Sequence, residues 1–435
     1  MKINIPETGQ KRVVIVGGGF AGLTLARKLA KSNYQVVLLD KNNYHQFQPL
    51  FYQVAMSGLE PSSIAFPLRK MFQSSKNVFI RVTAVEHVDT THKQLTTPIG
   101  VVNYDYLVLA IGAKTNFFGN EDLAERCIPM KSVSEALYLR NKILADYEQA
   151  LSTPDYDARQ KLIDIVIVGG GPTGVEVAGA LAEMKKYVMP KDYPELNCDE
   201  IDIHLIQGGP KLLLGMSDKA SQKAYDFLEQ LDVQIKLDTR VTDFDGEYVY
   251  MNDGSKIETH KVIWAAGITG NTIDGLPEDA IVRARRIKVD PFSRVDGVKD
   301  VFAIGDIAYM EEGNYEQGHP QVAQVAMQQA KQLAKNLKNI DKGNALEAFA
   351  YDDLGSMATI GRHKAVVDLP KVKFQGSFAW FVWLFVHLFQ ILGVKNRLFV
   401  FLNWVWGYFT YDQSLRLIIK PRVPNNRNLK ITEEN

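Results

Sequence analysis

This 435-residue sequence predicts an α/β protein built on two parallel sheets, with a helical region at its C-terminal end. Three observations carry that prediction. Val13-Val14-Ile15-Val16 runs into Gly17-Gly18-Gly19-Phe20-Ala21-Gly22. Ile165-Val166-Ile167-Val168 runs in the same way into Gly169-Gly170-Gly171-Pro172-Thr173-Gly174. Beyond Pro370 the chain changes character and becomes aromatic and basic.

Each glycine turn follows a β-branched run and precedes a helical apolar pattern. The pattern is Leu23, Leu25, Ala26, Leu29 and Ala30 after the first turn, and Val175, Val177, Ala178, Leu181 and Ala182 after the second. A strand feeding G-x-G-x-x-G into a helix is the setting in which that spacing signifies a dinucleotide. The glycines let the backbone approach a pyrophosphate, whose charge then meets the unpaired N–H groups of the helix N-terminus. A single such turn is often only a tight strand–helix connection. Two in the same setting predict two Rossmann-like domains and two dinucleotides.

The length calls for two or three domains. The 50 basic and 50 acidic residues cancel, so no nucleic-acid partner is implied. Cys127 and Cys198 are the only cysteines and form no C-x-x-C pair. That spacing argues against a disulfide framework, a thiolate zinc site or an iron–sulfur cluster, and fits a reducing compartment. No metal site is expected. The polar residues 1–11 lack the apolar core of a secretory signal.

After the first helix, Gln35-Val36-Val37-Leu38-Leu39-Asp40 reads as a strand ending in a carboxylate, placed to accept hydrogen bonds from a ribose. The plainer alternative is an aspartate that opens a turn. Residues 42–59 mix aromatics, amides and Pro49, and suit either a flat aromatic ligand or a buried connection. His45 there reads as a hydrogen-bonded loop residue rather than a catalyst. Residues 78–88 and 93–97 look like hairpin strands, and Tyr106 to Gly112 a buried strand with a small-residue end. Residues 134–151 form an amphipathic helix and 152–160 a polar linker.

In the second unit the corresponding strand, residues 201–207, arrives late, after an insertion containing Pro190 and Pro194. It ends in Gln207 where an acid is expected. An amide still bonds a ribose hydroxyl, yet it lacks the charge that repels a 2′-phosphate, so NADH is the default and NADPH stays open. Residues 262–267 make another strand with a small-residue end, and 300–306 a strand delivering Gly305-Asp306. That last unit follows the second dinucleotide domain, so the first domain is discontinuous. The expected division is 1–115 and 286–365 for the first domain, with 116–160 as a linker helix region. Residues 161–285 then form the nicotinamide domain and 366–435 a membrane-anchoring or dimerisation region. In the helix begun by Pro320, Gln324 and Gln328 share one face, which by spacing alone suits a solvated surface.

Taken together, these motifs resemble the type II (alternative, non-proton-pumping) NADH:quinone oxidoreductases, within the two-dinucleotide flavoproteins. The most specific parts are the paired turns, residues 47–55, Gly169 to Glu176, Ala323-Gln324-Val325-Ala326-Met327-Gln328, residues 355–361 and the aromatic tail. The resemblance implies that Gly17, Gly18, Gly19, Phe20, Ala21, Gly22, Asp40 and Lys41 hold non-covalent FAD, with Pro49, Val85, Ala110 and Gly112 along it. Gly305 and Asp306 would meet its ribityl–phosphate part. Gly169, Gly171, Pro172, Thr173, Gly174 and Gln207 would hold NADH, with Ala266 and Gly267 near the nicotinamide. Glu176 is implied in hydride or proton transfer, and Ala323, Gln324 and Gln328 face the quinone. For the two glutamines this reverses the surface reading.

The tail supports the same picture. Residues 378–392 are almost wholly apolar, interrupted by His387 and Gln390, and 398–411 contain Trp404, Trp406 and Tyr408. At ~1.5 Å per residue the first run spans roughly 22 Å, short of the ~30 Å hydrocarbon core. Tryptophan-rich helices flanked by Lys395, Arg397, Arg416, Lys420 and Arg422 suit the bilayer interface. A core helix or dimer interface is the alternative, and one helix can pair with a partner and face lipid at once. The expected protein is thus peripheral to a membrane, facing the cytoplasm or an equivalent NADH-containing compartment, and a homodimer.

The chemistry is consistent. A flavin accepts hydride from NADH and passes both electrons to a quinone, which needs no metal. Quinone reduction also consumes a proton, for which Glu176 is a possible relay if burial raises its pKa. No transmembrane proton path is visible. A disulfide reductase or a sulfide:quinone oxidoreductase would need reactive cysteines that the sequence does not place. An NADH-binding flavoprotein with an interaction or signalling role, or an NADPH-preferring quinone reductase, remains the alternative.

Overall fold

The computed structural model describes residues 3–313, 315–412 and 415–419. Two five-stranded sheets form its centre, and their order agrees over four strands, while the fifth, an edge strand, comes last in the chain in the first sheet and first in the second. In the first, Arg12–Val16 lies between Gln35–Asp40 and Tyr106–Leu109. Val78–Val82 extends one edge and Val301–Ala303 the other, all parallel. In the second, Ile165–Val168 lies between Ile203–Ile206 and Val262–Trp264, with Val233–Lys236 and Ile128–Pro129 at the edges, again all parallel. Both central strands are wholly buried, as parallel strands covered on both faces must be.

Val301–Ala303 joins the first sheet after the whole second unit has been completed, so the chain returns to its starting sheet. The Ala323–Lys342 helix then packs along Phe20–Leu29, burying Ala326, Ala330, Leu333 and Leu337 in the same core as Leu25 and Leu29. A short antiparallel ladder of Ala113–Thr115 with Ile268–Gly270 ties the two units together.

Two local expectations differ from the structure. Residues 78–88 are not one hairpin strand. Val78–Val82 joins the parallel sheet, whereas His87–Asp89 opens a separate antiparallel meander with Gln94–Thr97 and Gly100–Asn103. The Asn77 side chain decides this by donating to Leu29 O and Tyr34 O, which pins the incoming strand beside Gln35. Residues 152–160 are not all linker, because Asp155 accepts from Ala158 N at 2.8 Å and caps a helix over Tyr156–Ile163.

Beyond residue 355 a three-stranded antiparallel sheet, Ser356–Gly361, Lys364–Asp368 and Lys373–Gln375, packs on the Pro172–Tyr187 helix. The approach is close enough that a Cβ on Gly179 would collide with the Ile360 backbone. Two helices follow, Ser377–Gln390 and Val394–Thr410. Trp383 is 1 % exposed, yet Phe378, Phe385 and Phe409 are 68 %, 64 % and 77 % exposed. The pair therefore buries one stripe and leaves another apolar stripe bare. No helix among the described residues is long and apolar enough to cross a membrane. Of the basic residues expected to flank these helices, Lys420 and Arg422 lie outside the described residues.

Candidate functional site: two glycine turns and a shared cleft

The two glycine turns share their main backbone hydrogen bonds. Gly17 N donates to Leu39 O, and Gly169 N to Ile206 O, each at 2.8 Å. Gly17 has φ +103° and Gly169 +110°, in the region that glycine alone enters easily. A Cβ on Gly22 would strike the Gly17 carbonyl, and one on Gly174 the Gly169 carbonyl. Gly19 and Gly171 serve as N-caps with no side chain, so their helix N-termini stay open for an anion.

The strand-end residues occupy matching places. Asp40 Oδ2 accepts from Gly18 N at 2.5 Å, and Gln207 Oε1 from Gly170 N at 2.7 Å. Asp40 also accepts from Asn42 N through Oδ1. Burial raises the Asp40 pKa, against these two amide hydrogen bonds. His45 Nδ1 lies 3.0 Å from Gly18 O and braces the turn from beneath. Its buried ring, on the short strand Tyr44–Gln46 rather than in a loop, has a lowered pKa, chiefly from desolvation.

A cleft of about 1240 Å³ opens from the first turn. Of the residues implied for FAD, Gly17, Gly19, Phe20, Ala21, Asp40, Lys41, Pro49, Val85, Ala110, Gly112, Gly305 and Asp306 line it. Gly18 and Gly22 form the turn beneath. Gly305, at φ +77°, donates its N–H to Gln329 Oε1 at 2.8 Å, so a buried side chain of the returning helix holds the Gly-Asp corner. Asp306 faces Lys131 Nζ at 3.9 Å, and burial raises its carboxyl. The volume, the side-chain-free turn and the polar corner fit a dinucleotide the size of FAD.

Pro172, Thr173 and Glu176, from the second turn's helix, line the far end of the same cleft, as does Ala323. The second helix therefore starts where the first turn's groove ends. Burial pushes the Glu176 carboxyl up to about 8, with a backbone hydrogen bond from Thr359 pulling the other way. Gly169, Gly171, Gly174 and Gln207 form the second turn outside the cleft. Ala266 and Gly267 (φ +138°) follow the Val262–Trp264 strand, and Asn116 N donates to Gly267 O.

Gln324 and Gln328 are each engaged at both ends of the amide. Gln324 donates to Gly355 O at 2.9 Å and accepts from Leu354 N, and Gln328 donates to Asp352 O at 2.8 Å and accepts from Asp352 N. They share one helix face, as their spacing implies, but that face holds the strap 352–355 rather than open solvent. A ligand meeting these amides has to displace or share those bonds.

Sequence reasoning did not find Lys131, Asn271, Arg285 or His387, all of which line the cleft. They come from four separate segments, so no local spacing marks them. His387 donates Nδ1–H to Trp383 O at 2.8 Å and stacks on Trp383, and its burial lowers its pKa to about 4. Residues 42–59 do both things considered for them. Phe47, Leu50 and Val54 enter the core, while Gln46, Gln48, Pro49 and Phe51 line the cleft.

Residues 11–330 match the family "pyridine nucleotide-disulphide oxidoreductase" and residues 354–410 the "NDH2 C-terminal domain". The type II NADH:quinone oxidoreductase NdhA of Mycobacterium tuberculosis is 35% identical over 91% of this chain and 87% of its own length. A type II NADH:quinone oxidoreductase of Haemophilus influenzae is 28% identical over 87% and 92%. Among solved structures, NDH2 of Plasmodium falciparum in complex with NADH superposes with a TM-score of 0.86 at 22% identity, covering 94% of this chain and all of that one. Sulfide:quinone oxidoreductase of Aquifex aeolicus shares the fold at a TM-score of 0.69, over 89% and 92%.

Proposed function

The chain belongs to the type II NADH:quinone oxidoreductases, and from that premise we propose how its residues divide the work. It is a flavoenzyme that oxidises NADH and reduces a quinone. The cleft residues Gly17, Gly19, Phe20 and Ala21, with Asp40 and Asp306, would hold FAD, which when bound would supply the two-electron chemistry that links nicotinamide to quinone. The observation that carries the assignment is the meeting of the second helix with the first turn's cleft at Pro172, Thr173 and Glu176.

In this reading the first turn and its open helix end hold the FAD pyrophosphate, Asp40 and Lys41 its adenosine half, and Asp306 with Lys131 its ribityl–phosphate side. Lys131 offsets both the buried Asp306 carboxylate and the pyrophosphate charge. The second turn holds the NADH pyrophosphate, and Gln207 meets the adenosine ribose. Ala266 and Gly267 leave room beside the nicotinamide. Glu176, protonated near neutral pH, supplies the proton that quinone reduction consumes. Ala323, Gln324 and Gln328 border the quinone head-group, which competes there with the strap at 352–355.

The bare aromatic stripe of the last two helices would lie on a bilayer surface on the side that carries NADH, where Trp406 and the cations beside it suit the interface. The same helices would pair two copies of the chain. An NADPH-preferring enzyme is the second reading, favoured by the neutral Gln207 and by Arg240, whose side chain lies against Gly208.

Stopped-flow half-reactions test the central reading. Purified protein should carry FAD, lose its flavin absorbance on mixing with NADH, and regain it on mixing with a quinone. Material that folds but takes up no FAD would overturn it.

A further inference from the structure

A second cavity, of about 170 Å³, lies on the other side of Glu176. Glu176, Ala180, Glu183 and Tyr187 all line it, and their spacing of i, i+4, i+7 and i+11 makes them one stripe along the Pro172–Tyr187 helix. The inner end reaches Glu176, which also borders the large cleft. The outer end is formed by Tyr187, Tyr411 and Asp412.

Glu183 is fixed in this passage. Its Oε1 accepts from Arg362 N at 2.5 Å, and a Cβ on Gly361 would fall 2.8 Å from that oxygen. The glycine thus lets the carboxyl reach the backbone of the hairpin. The Arg362 guanidinium turns away to the Tyr411 ring, 3.5 Å distant, and donates to Gly407 O. Neither glutamate forms an ion pair among the described residues. Charged and titratable groups facing the passage are Tyr52 from the aromatic loop, Arg362 and Lys364 from the hairpin, and Tyr408, Tyr411 and Asp412 from the last helix and its end. Burial raises both carboxyls, against the Arg362 amide and the Arg362 and Lys364 charges at Glu183.

Seven residues of helix separate the two carboxyl-bearing positions by about 10 Å, a gap for two or three waters. A cavity of this size has room for several waters. The Glu176 and Glu183 carboxyls and the Tyr52 hydroxyl give such waters polar partners.

We propose that this cavity is the proton inlet for quinone reduction and that Glu183 is its outer relay, passing protons through water to Glu176. The inference rests on the role given to Glu176 above. The overall reaction is NADH + H⁺ + quinone → NAD⁺ + quinol. The hydride carries both electrons and one hydrogen nucleus, so the second must arrive from solvent as H⁺. Glu183 takes it up from water that enters past Tyr187, Tyr411 and Asp412. Glu176 is reprotonated through the intervening water after giving its own proton to the reduced quinone, and no electron moves through the passage.

The test uses the full-length enzyme with bound FAD. In Glu183→Gln, NADH should reduce the flavin at the unmodified rate. Reoxidation by quinone should slow by about tenfold or more, most at alkaline pH, and should recover on adding imidazole as a diffusible acid. Glu183→Asp should restore part of the rate. Ala180→Leu keeps both carboxyls but fills the space between them, and should show the same slow, imidazole-sensitive reoxidation.

Unmodified reoxidation in both Glu183→Gln and Ala180→Leu across the pH range would overturn the inlet. So would losses shared equally by flavin reduction and untouched by imidazole, which mark a structural role. An Ala180→Leu effect confined to the KM of long-tailed quinones would make the cavity a tail channel and overturn the relay. Absence of quinone turnover in the unmodified enzyme would instead overturn the proposed function itself.

Discussion

The first and second glycine turns share a backbone and differ in what surrounds them. Around the first, Ala21 is buried, Phe20 half-buried, and the groove runs on into a deep cleft. Around the second, Pro172 and Thr173 are exposed at the corresponding places. In the proposed reading the first turn holds a resident cofactor inside the cleft, and the second an exchanging substrate at a more exposed helix end. The difference is supplied by distant segments, the aromatic loop and the Gly305-Asp306 corner, which line the cleft beside the first turn.

The most severe way to break this comparison is to make the same error in both turns. Gly22→Ala and Gly174→Ala each drive a methyl into the carbonyl five residues earlier. Gly22→Ala should yield protein with little or no FAD by absorbance. Gly174→Ala should stay yellow but show a rise in the NADH KM of at least about tenfold, near 1.4 kcal/mol. Equal loss of flavin in both variants would end the distinction.

A second test falls where the two units meet. Quinone reduction should decline as pH rises through about 8, as the buried Glu176 gives up its proton, and Glu176→Gln should abolish that limb along with most of the turnover. Stability should follow with a definite sign. The folded carboxyl keeps its proton up to about 8 while the unfolded one releases it near 4.5, so the native state loses stability as pH rises between the two. Thermal melts of Glu176→Gln should lack that slope.

Gln207→Glu sharpens the contrast between the strand ends. It keeps the acceptor for Gly170 N but restores a negative charge beside the ribose, as at Asp40. The NADPH-to-NADH activity ratio should fall, on the order of tenfold, and an unchanged ratio would show that this side chain does not face the 2′ position.

The smallest expected effect is at the strap. Gln328→Ala or Gln324→Ala removes two hydrogen bonds to residues 352–355, about 1 kcal/mol each in local stability. Stopped-flow traces should show slower reoxidation by quinone with flavin reduction by NADH little changed. Equal losses in both half-reactions would remove these glutamines from the quinone site.

What was legible in the sequence was local. The glycine turns, Asp40 and Gln207 announce themselves because strand, turn and helix are contiguous, and the hydrogen bonds to Gly18 and Gly170 follow from that contiguity. The exposed aromatic stripe of the last helices was legible for the same reason. Residues 78–88 were misread because an apolar run does not name its partner, and the Asn77 bonds that choose it reach back more than forty residues. The helix at Tyr156–Ile163 was hidden in a polar stretch although Asp155 was a usable cap signal. The spacing of Gln324 and Gln328 put them on one face, but nothing nearby told that the face would meet 352–355. Lys131, His387 and the passage beside Glu183 need three or more distant segments to be assembled before they exist.

The missing side chain at Gly179 has a mechanical meaning. Because helix and hairpin touch there backbone to backbone, neither can slide without a steric clash, and Glu176 lies within one turn of that contact. Glu176 and the sheet that bears the aromatic helices therefore form one stiff bracket. If those helices rest on a bilayer as proposed, the acid is carried at a constant height above it.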